Sequence, residues 1–359
     1  MRPPDLSPPA EPLRRPTIGF IGIHSNGRPD MPVSQNETIA RLFAESGFVV
    51  RKASGVRRPA LRTIHQMVSI PLWRDVDVLV IAGFSGPSFF IVEFATWLAR
   101  VTGKRSVVFL HGGRLPEFGP EHRRRVEAAL ARADRVFAPS EFLAREFRSW
   151  GIDVRVIPNV LSIDRYVAVA RAEARPRILW MRTFHEHYDP LTAVRTFARL
   201  VEHHSDAAMT MAGADQGLLD ATRGEAARLG VVDRIEFPGY LRGDEKDRAL
   251  QSHDFFLNTN VVDNMPVSVL EAAASGMVPV ATAVGGIPML LTDGVDALLS
   301  PPGDDAALAA DIESLVADPS RYGEMSRAAR RLAELSGWPH VRERWLHELE
   351  LLLPGRTVP

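Results

Sequence analysis

Short, nearly continuous runs of Val, Ile and Leu, each followed by a helix-like stretch, recur along most of the chain, and this alternation limits the possible folds more than any other feature. Strands are expected over residues 17–23, 48–51, 76–82, 106–110, 135–138 and 154–157. Helices are expected over 87–100 and 120–133, with a further one ending at Gly151. Ser34 and Glu37 have capping-box spacing ahead of Ile39, Leu42 and Phe43, and Gly47 is placed to end that helix. Strands with so little polar alternation are buried on both faces, as in a parallel sheet between two helical layers. The polar stretch 158–176 reads as a linker. A second series follows, with strands over 177–181, 207–212, 234–237, 255–258 and 278–282, punctuated by Gly213, Gly230 and Gly276. The 359 residues suit two such Rossmann-like domains, and two open sheets in tandem place a cleft at the carboxyl ends of their strands. An amphipathic helix over 338–353 closes the sequence.

Charge and composition remove several function classes. A formal net charge of −1 and a pI near 6.9 give no long-range field for nucleic acid, so no nucleic-acid partner is expected. The absence of cysteine excludes disulfides, thiolate metal sites and cysteine nucleophiles. No apolar run reaches the ~18 residues of a spanning helix. Residues 1–15, rich in proline, read as a disordered tail without a signal-peptide core, which makes the cytoplasm the expected location. Segment 61–73, preceded by Arg57 and Arg58, reads as a buried helix in preference to one resting on a membrane, with peripheral membrane contact left open.

The chemistry concentrates in the second half. In VPVATAVGGIPMLL (278–291) a strand runs into Gly285 and Gly286 and then into a helix opened by Ile287 and Pro288. Free N–H groups at such a helix start favour an anion, while a tight turn that needs glycine for backbone reasons explains the pattern equally well. Upstream, DNMPVSVLEAAASG places Asp263 in a loop and Glu271 eight positions on, in a mostly apolar helix starting near Pro266. A carboxylate accepts hydrogen bonds from vicinal hydroxyls, so one acid suits a ribose and the other a pyranose. An acid on so apolar a helix needs a partner.

Together these segments resemble glycosyltransferase family 4, whose members carry two acids separated by seven residues and then a Gly-Gly-Ile-Pro loop. RILWMRTF, AAMTMAG, RIEFPGYL and DGVDALLSPPGD fall in the family's order, and FLHGG, APSEFL and VIPNV agree in the N-terminal half. The resemblance implies the α/β GT-B fold, two Rossmann-like doubly wound domains facing across a cleft. These are an acceptor-side domain over 16–165 and a nucleotide-sugar-binding domain over 166–335, with 336–359 forming a helix that crosses back to the first. It implies retaining transfer from a nucleotide-sugar donor to a carbohydrate or lipid-linked acceptor, with no cofactor and no metal. By position, Glu271 would hold the ribose, Asp263 the donor sugar in place of the family's glutamate, and Arg182 the diphosphate. Asn264, Met265, Pro266, Val267, Gly285 and Gly286 would lie along sugar and diphosphate. Tyr240 would border the base, Gly27 would approach the phosphates and His111 would stand near the transferred sugar. Catalytic roles fall to Arg182, Asp263 and His111. The family's second phosphate-binding cation is replaced near Tyr188, and Lys246 is distant in sequence, which makes His185 and His187 candidate auxiliary donors. A GT-B epimerase or phosphorylase, or a donor-binding protein without turnover, are the alternatives. Asp75 and Asp77 match a metal-binding DxD pattern but open a strand at its amino end, away from the ligand-bearing ends.

Overall fold

The structure is a computed structural model that describes residues 15–25, 33–53, 55–56, 58–111, 115–171 and 173–356. The tail expected over 1–15 lies, except for Arg15, outside the described residues, as does Gly27. The chain divides into two compact units, one of residues 1–138, 147–157 and 342–359, the other of 139–146 and 158–341. It passes between them after residues 138, 146, 157 and 341, and the crossing from Ile157 to Pro158 is where the polar stretch begins.

The first unit is built on β1 (Thr17–Ile21), β2 (Val49–Ala53), β3 (Val78–Gly83), β4 (Arg105–Leu110), β5 (Arg135–Ala138) and β6 (Val154–Val156), all parallel, in the order β2-β1-β3-β4-β5-β6. The intervening helices are α1 (Gln35–Glu45), α2 (Pro59–Leu72), α3 (Phe89–Val101), α4 (Leu115–Glu121), α5 (Arg123–Leu130) and α6 (Glu141–Arg148), of which residues 141–146 of α6 group with the second unit. Every residue of β1 and β3 is buried, as the unbroken apolar runs require. The single helix expected over 120–133 is interrupted at His122, with α4 running through Pro120 to Glu121 before it and α5 after it. Only half of the capping box forms. Ser34 Oγ accepts from Glu37 N, whereas the Glu37 carboxylate turns to Ser25 N at 2.6 Å.

The second unit repeats the plan with β7 (Arg177–Met181), β8 (Ala208–Ala212), β9 (Ile235–Gly239), β10 (Phe255–Asn258), β11 (Val278–Thr282) and β12 (Leu298–Ser300), in the order β12-β11-β10-β7-β8-β9. Its helices are α7 (Pro190–His203), α8 (Leu219–Arg228), α9 (Gly243–Ser252), α10 (Val267–Ala274), α11 (Ile287–Leu290), α12 (Asp305–Val316) and α13 (Pro319–Leu335). The chain ends on α14 (Trp338–Leu352). β12, three residues long, has no periodicity to betray it in the sequence. The first unit's adjacent strands reverse direction of crossover at β1/β3 and the second's at β7/β10, the switch points where ligands bind in doubly wound sheets.

Trp345 of α14 is fully buried in the first unit, with Phe43, Phe109 and Phe137 edge-on to its ring at 5.7, 5.7 and 5.1 Å. Arg356 beyond the helix pairs with Asp77 at 2.6 Å, and Asp77 also accepts from Thr17 N, so this acid of the DxD pattern has a structural task. Asp75, the other, pairs with Arg51 at 2.9 Å. Emptying the aromatic cage by Trp345→Ala is expected to destabilise the first unit by about 3–5 kcal/mol. Denaturant unfolding followed by fluorescence measures this, and a loss below about 1 kcal/mol would contradict the packing described.

Candidate functional site

A cavity of about 200 Å³ opens in the second unit where β7 and β8 end. Arg182, Tyr188, Gly213, Tyr240, Lys246, Ser268 and Glu271 are among the residues that line it. Of the residues singled out in the sequence, it therefore gathers Arg182, Tyr188, Tyr240 and Glu271.

Glu271 sits on α10 among buried Val269, Leu270, Ala272, Ala273 and Ala274, and is itself buried. Its Oε1 accepts from Lys246 Nζ at 2.6 Å and from the Tyr166 hydroxyl at 2.8 Å. These are the partners that so apolar a helix demands of an acid. Burial, reinforced by Glu271, raises the Tyr166 pKa well above its ordinary value, so the phenol remains a donor. Lys246 stands 25 positions before Glu271, yet α9 carries it to the same cavity. Sequence spacing gave no sign of this. The Oγ of Ser268, one turn before Glu271, is buried with no partner among the described residues.

Arg182 follows β7. One guanidinium nitrogen is 2.6 Å from Asp263 Oδ2, both side chains are mostly buried, and the Tyr188 ring lies 5.3 Å away in cation–π contact. Tyr188 is thus packed on the arginine. Asp263 also accepts from Asn260 Nδ2 at 2.5 Å and from Asn264 N at 2.7 Å. Three donors leave one of a carboxylate's four acceptor positions open. His185 and His187 lie in the next turn with ring centres 4.6 Å apart. With Glu186 they bring three ligating atoms within 4.8 Å of one another, but His185 Nδ1 already accepts from His187 N.

The glycines are explained by close backbone approach. A Cβ on Gly285, whose φ is +55°, would lie 2.1 Å from the Asp263 carbonyl oxygen, and one on Gly286 would lie 1.9 Å from that of Asn264. Gly213, one of the glycines that punctuate the second series, meets the Arg182 carbonyl oxygen, 1.7 Å from a Cβ there. At the start of α11, where the sequence leaves an anion site and a tight turn equally open, the backbone N–H groups are engaged within the chain. That helix is four residues long, and its N–H groups are taken: Gly286 by Asp263 O, Ile287 by Val284 O, and Met289 and Leu290 by Gly286 O. Pro288 has none. By contrast, α10 begins after Pro266 without a side-chain cap and brings its first turn to the cavity wall at Ser268. Asn264, Met265 and Pro266 are buried in the loop before it, and Val267 is partly buried.

His111 belongs to the first unit, just beyond β4, against Phe109 at 4.2 Å and Phe84 at 5.7 Å, with Nε2 buried and unpartnered among the described residues. Burial lowers its pKa to about 3. His24, beyond β1, is also buried with neither ring nitrogen partnered among the described residues, and burial lowers its pKa to about 4 against the opposing pull of Glu37.

Known proteins agree with this architecture. The family model described as "Glycosyl transferases group 1" matches residues 166–332, and "Glycosyltransferase Family 4" matches 32–165. D-inositol 3-phosphate glycosyltransferase of Streptomyces avermitilis is 27% identical over 231 residues, 58% of this chain and 50% of that protein. Its counterpart in Streptomyces bingchenggensis is 29% identical, over 61% and 54%. The chain spans about half the length of these curated relatives. Among solved structures, Anabaena Alr3699/HepE in complex with UDP superposes with a TM-score of 0.72 at 15% identity, covering 94% of this chain and 100% of that one. Sucrose-phosphate synthase from Thermosynechococcus elongatus gives 0.75 at 16%, covering 94% and 99%. The likeness is one of fold, the GT-B architecture of two Rossmann-like units.

Two buried neutral imidazoles set a pH dependence. With folded pKa values of about 4 and about 3 against 6.5 unfolded, the unfolded chain binds more protons at these two rings in the window between the folded and unfolded values. The contribution of these two rings to the stability of the first unit is therefore expected to be level once both are neutral in either state, about one pH unit above 6.5, and to fall as the pH drops toward 4. Denaturant titrations of the wild type and of a His24→Gln/His111→Gln variant measure it: the variant should show a clearly shallower fall, and equal slopes would contradict the burial of the two rings.

Proposed function

The chain belongs to the group 1 glycosyl transferases, and from that premise we propose that it transfers a sugar from a nucleotide-sugar donor to an acceptor hydroxyl, with retention of configuration and without a metal ion. The observation that carries this reading is the meeting of Arg182, Lys246 and Glu271 around one cavity at the carboxyl ends of parallel strands. The cavity is smaller than the ~300–1,000 Å³ of whole-ligand pockets, so it receives the nucleoside diphosphate part of the donor.

In this reading the diphosphate draws Arg182 from Asp263 and lies against the first turn of α10, where N–H groups point at an anion. The ribose hydroxyls donate to Glu271 through Oε2, the oxygen not engaged by Lys246 and Tyr166. Tyr240, half exposed on the cavity rim, borders the base. As the sugar–phosphate bond breaks, negative charge grows on the leaving diphosphate, and Arg182 is preorganised to meet it. Lys246 supplies a second positive charge at the same cavity, although it is distant from Arg182 in sequence. Two cations lining one cavity are in keeping with a mechanism that needs no metal. The solved complexes of HepE with UDP and UDP-glucose make a uridine diphosphate sugar the first donor to try.

Incubation with a panel of nucleotide sugars tests the proposal. Donor hydrolysis or transfer that survives EDTA is expected, and Arg182→Ala should lower it by roughly 10²- to 10³-fold. Interconversion of the donor without an acceptor would replace the reading with an epimerase, and binding without turnover would replace it with a donor-binding protein. Activity abolished by EDTA and restored by Mg²⁺ or Mn²⁺ would refute metal independence and direct attention to His185, Glu186 and His187.

A further inference from the structure

Two neighbouring helices of the first unit carry large apolar side chains on the outside. On α2, Leu61, Ile64, Val68 and Leu72 follow one another at three- and four-residue spacing, and all are exposed, Ile64 to 57% and Leu72 to 70%. On α3, Phe90, Trp97 and Val101 are exposed at matching spacing, Trp97 to 48%. Phe94, partly buried, lies between Phe90 and Trp97 with ring centres 6.0 and 5.3 Å from theirs. The helices pack side by side, and Lys104 just after α3 donates to the Trp73 carbonyl just after α2 at 2.5 Å, so the two stripes end together. The inward side of α2 is Gln66, Ser69 and Ile70, with Gln66 Nε2 donating to the Gly22 carbonyl at 2.7 Å. The segment expected to be a buried helix therefore turns much of its apolar surface outward, against the usual orientation of a surface helix. Joined to the α3 stripe it makes an apolar face on the order of several hundred Å², the size that marks a contact surface.

The surrounding charges select the occupant. No acid stands on α2, and the one acid on α3, Glu93, is paired with Arg125 at 2.7 Å. Asp75 and Asp77 nearby are paired with Arg51 and Arg356. Arg58 and Arg62 stand at the start of α2, Arg74 just past its end and Arg100 in the last turn of α3, and Arg58, Arg74 and Arg100 are exposed. A second copy of this face would set cations against cations. An anionic bilayer takes the apolar side chains at its acyl boundary and the arginines at its headgroups. We propose that the α2–α3 face docks the protein on an anionic membrane surface.

Flotation of the full chain with lipid vesicles tests this. The wild type is expected to float with vesicles of phosphatidylcholine and phosphatidylglycerol, far less with phosphatidylcholine alone, and less as salt is raised. Ile64→Glu combined with Val68→Glu should weaken that binding by about tenfold or more while leaving the melting temperature unchanged, since both side chains face solvent. Trp emission should shift to the blue on binding, and Trp97→Phe should remove most of that shift. No flotation of the wild type with anionic vesicles, or equal flotation of the doubly substituted chain, would overturn the proposal. So would a wild-type dimer that the same substitutions dissociate without any effect of lipid, which would make the face an interface between copies.

Discussion

Two carboxylates held out of water at the ends of β7 and β10 determine what stands around them. Glu271 lies on a helix that is apolar on nearly every side, and an unpaired carboxylate there would cost several kcal/mol. Lys246 and Tyr166 meet that requirement from α9 and from the chain before β7. Asp263 is covered by Arg182, Asn260 and a backbone N–H. Each acid thus brings a cation to the cavity wall. Removing either cation leaves a mostly buried acid without its countercharge. An anionic ligand competes with Asp263 for Arg182, so the strength of that one ion pair bears directly on how tightly a diphosphate can be held.

Backbone proximity is the second constraint, and it follows from the first. To bring the Asp263 loop under Arg182, the chain at Gly285 and Gly286 must pass within contact distance of the Asp263 and Asn264 carbonyls, and the end of β8 at Gly213 must pass beneath Arg182. Side chains cannot fit at any of the three. Glycines that resemble a phosphate cradle in the sequence therefore serve to pack one loop on another. The donor groups of the short α11 are consumed in the same packing, which leaves the first turn of α10 as the helix start that borders the cavity.

The doubly wound architecture is legible in the sequence because its strands are buried on both faces and so appear as unbroken apolar runs. β5, β7, β10 and β11 coincide with those runs residue for residue. The short β12 and the break between α4 and α5 at His122 depend on a few residues, and periodicity cannot resolve them. Arg182, Tyr240 and Glu271 are recognisable from motif order, and they meet at one cavity. Lys246 is not, since its approach depends on where the sheet places α9 and not on distance along the chain. The orientation of α2 is hidden for a similar reason. Its apolar spacing is that of any amphipathic helix, and only the tertiary packing of Gln66 and Ser69 shows which side faces inward.

The central claim is that the cavity between Arg182 and Glu271 is a nucleoside diphosphate site. A crystal structure of the protein with uridine diphosphate tests it most directly. The account predicts the diphosphate within hydrogen-bond distance of the Arg182 guanidinium and the ribose hydroxyls on the Glu271 carboxylate, with the Arg182–Asp263 pair loosened or broken. A nucleotide bound elsewhere, with Arg182 still on Asp263 and Lys246 and Tyr166 enclosing a Glu271 that touches no ligand, would contradict it.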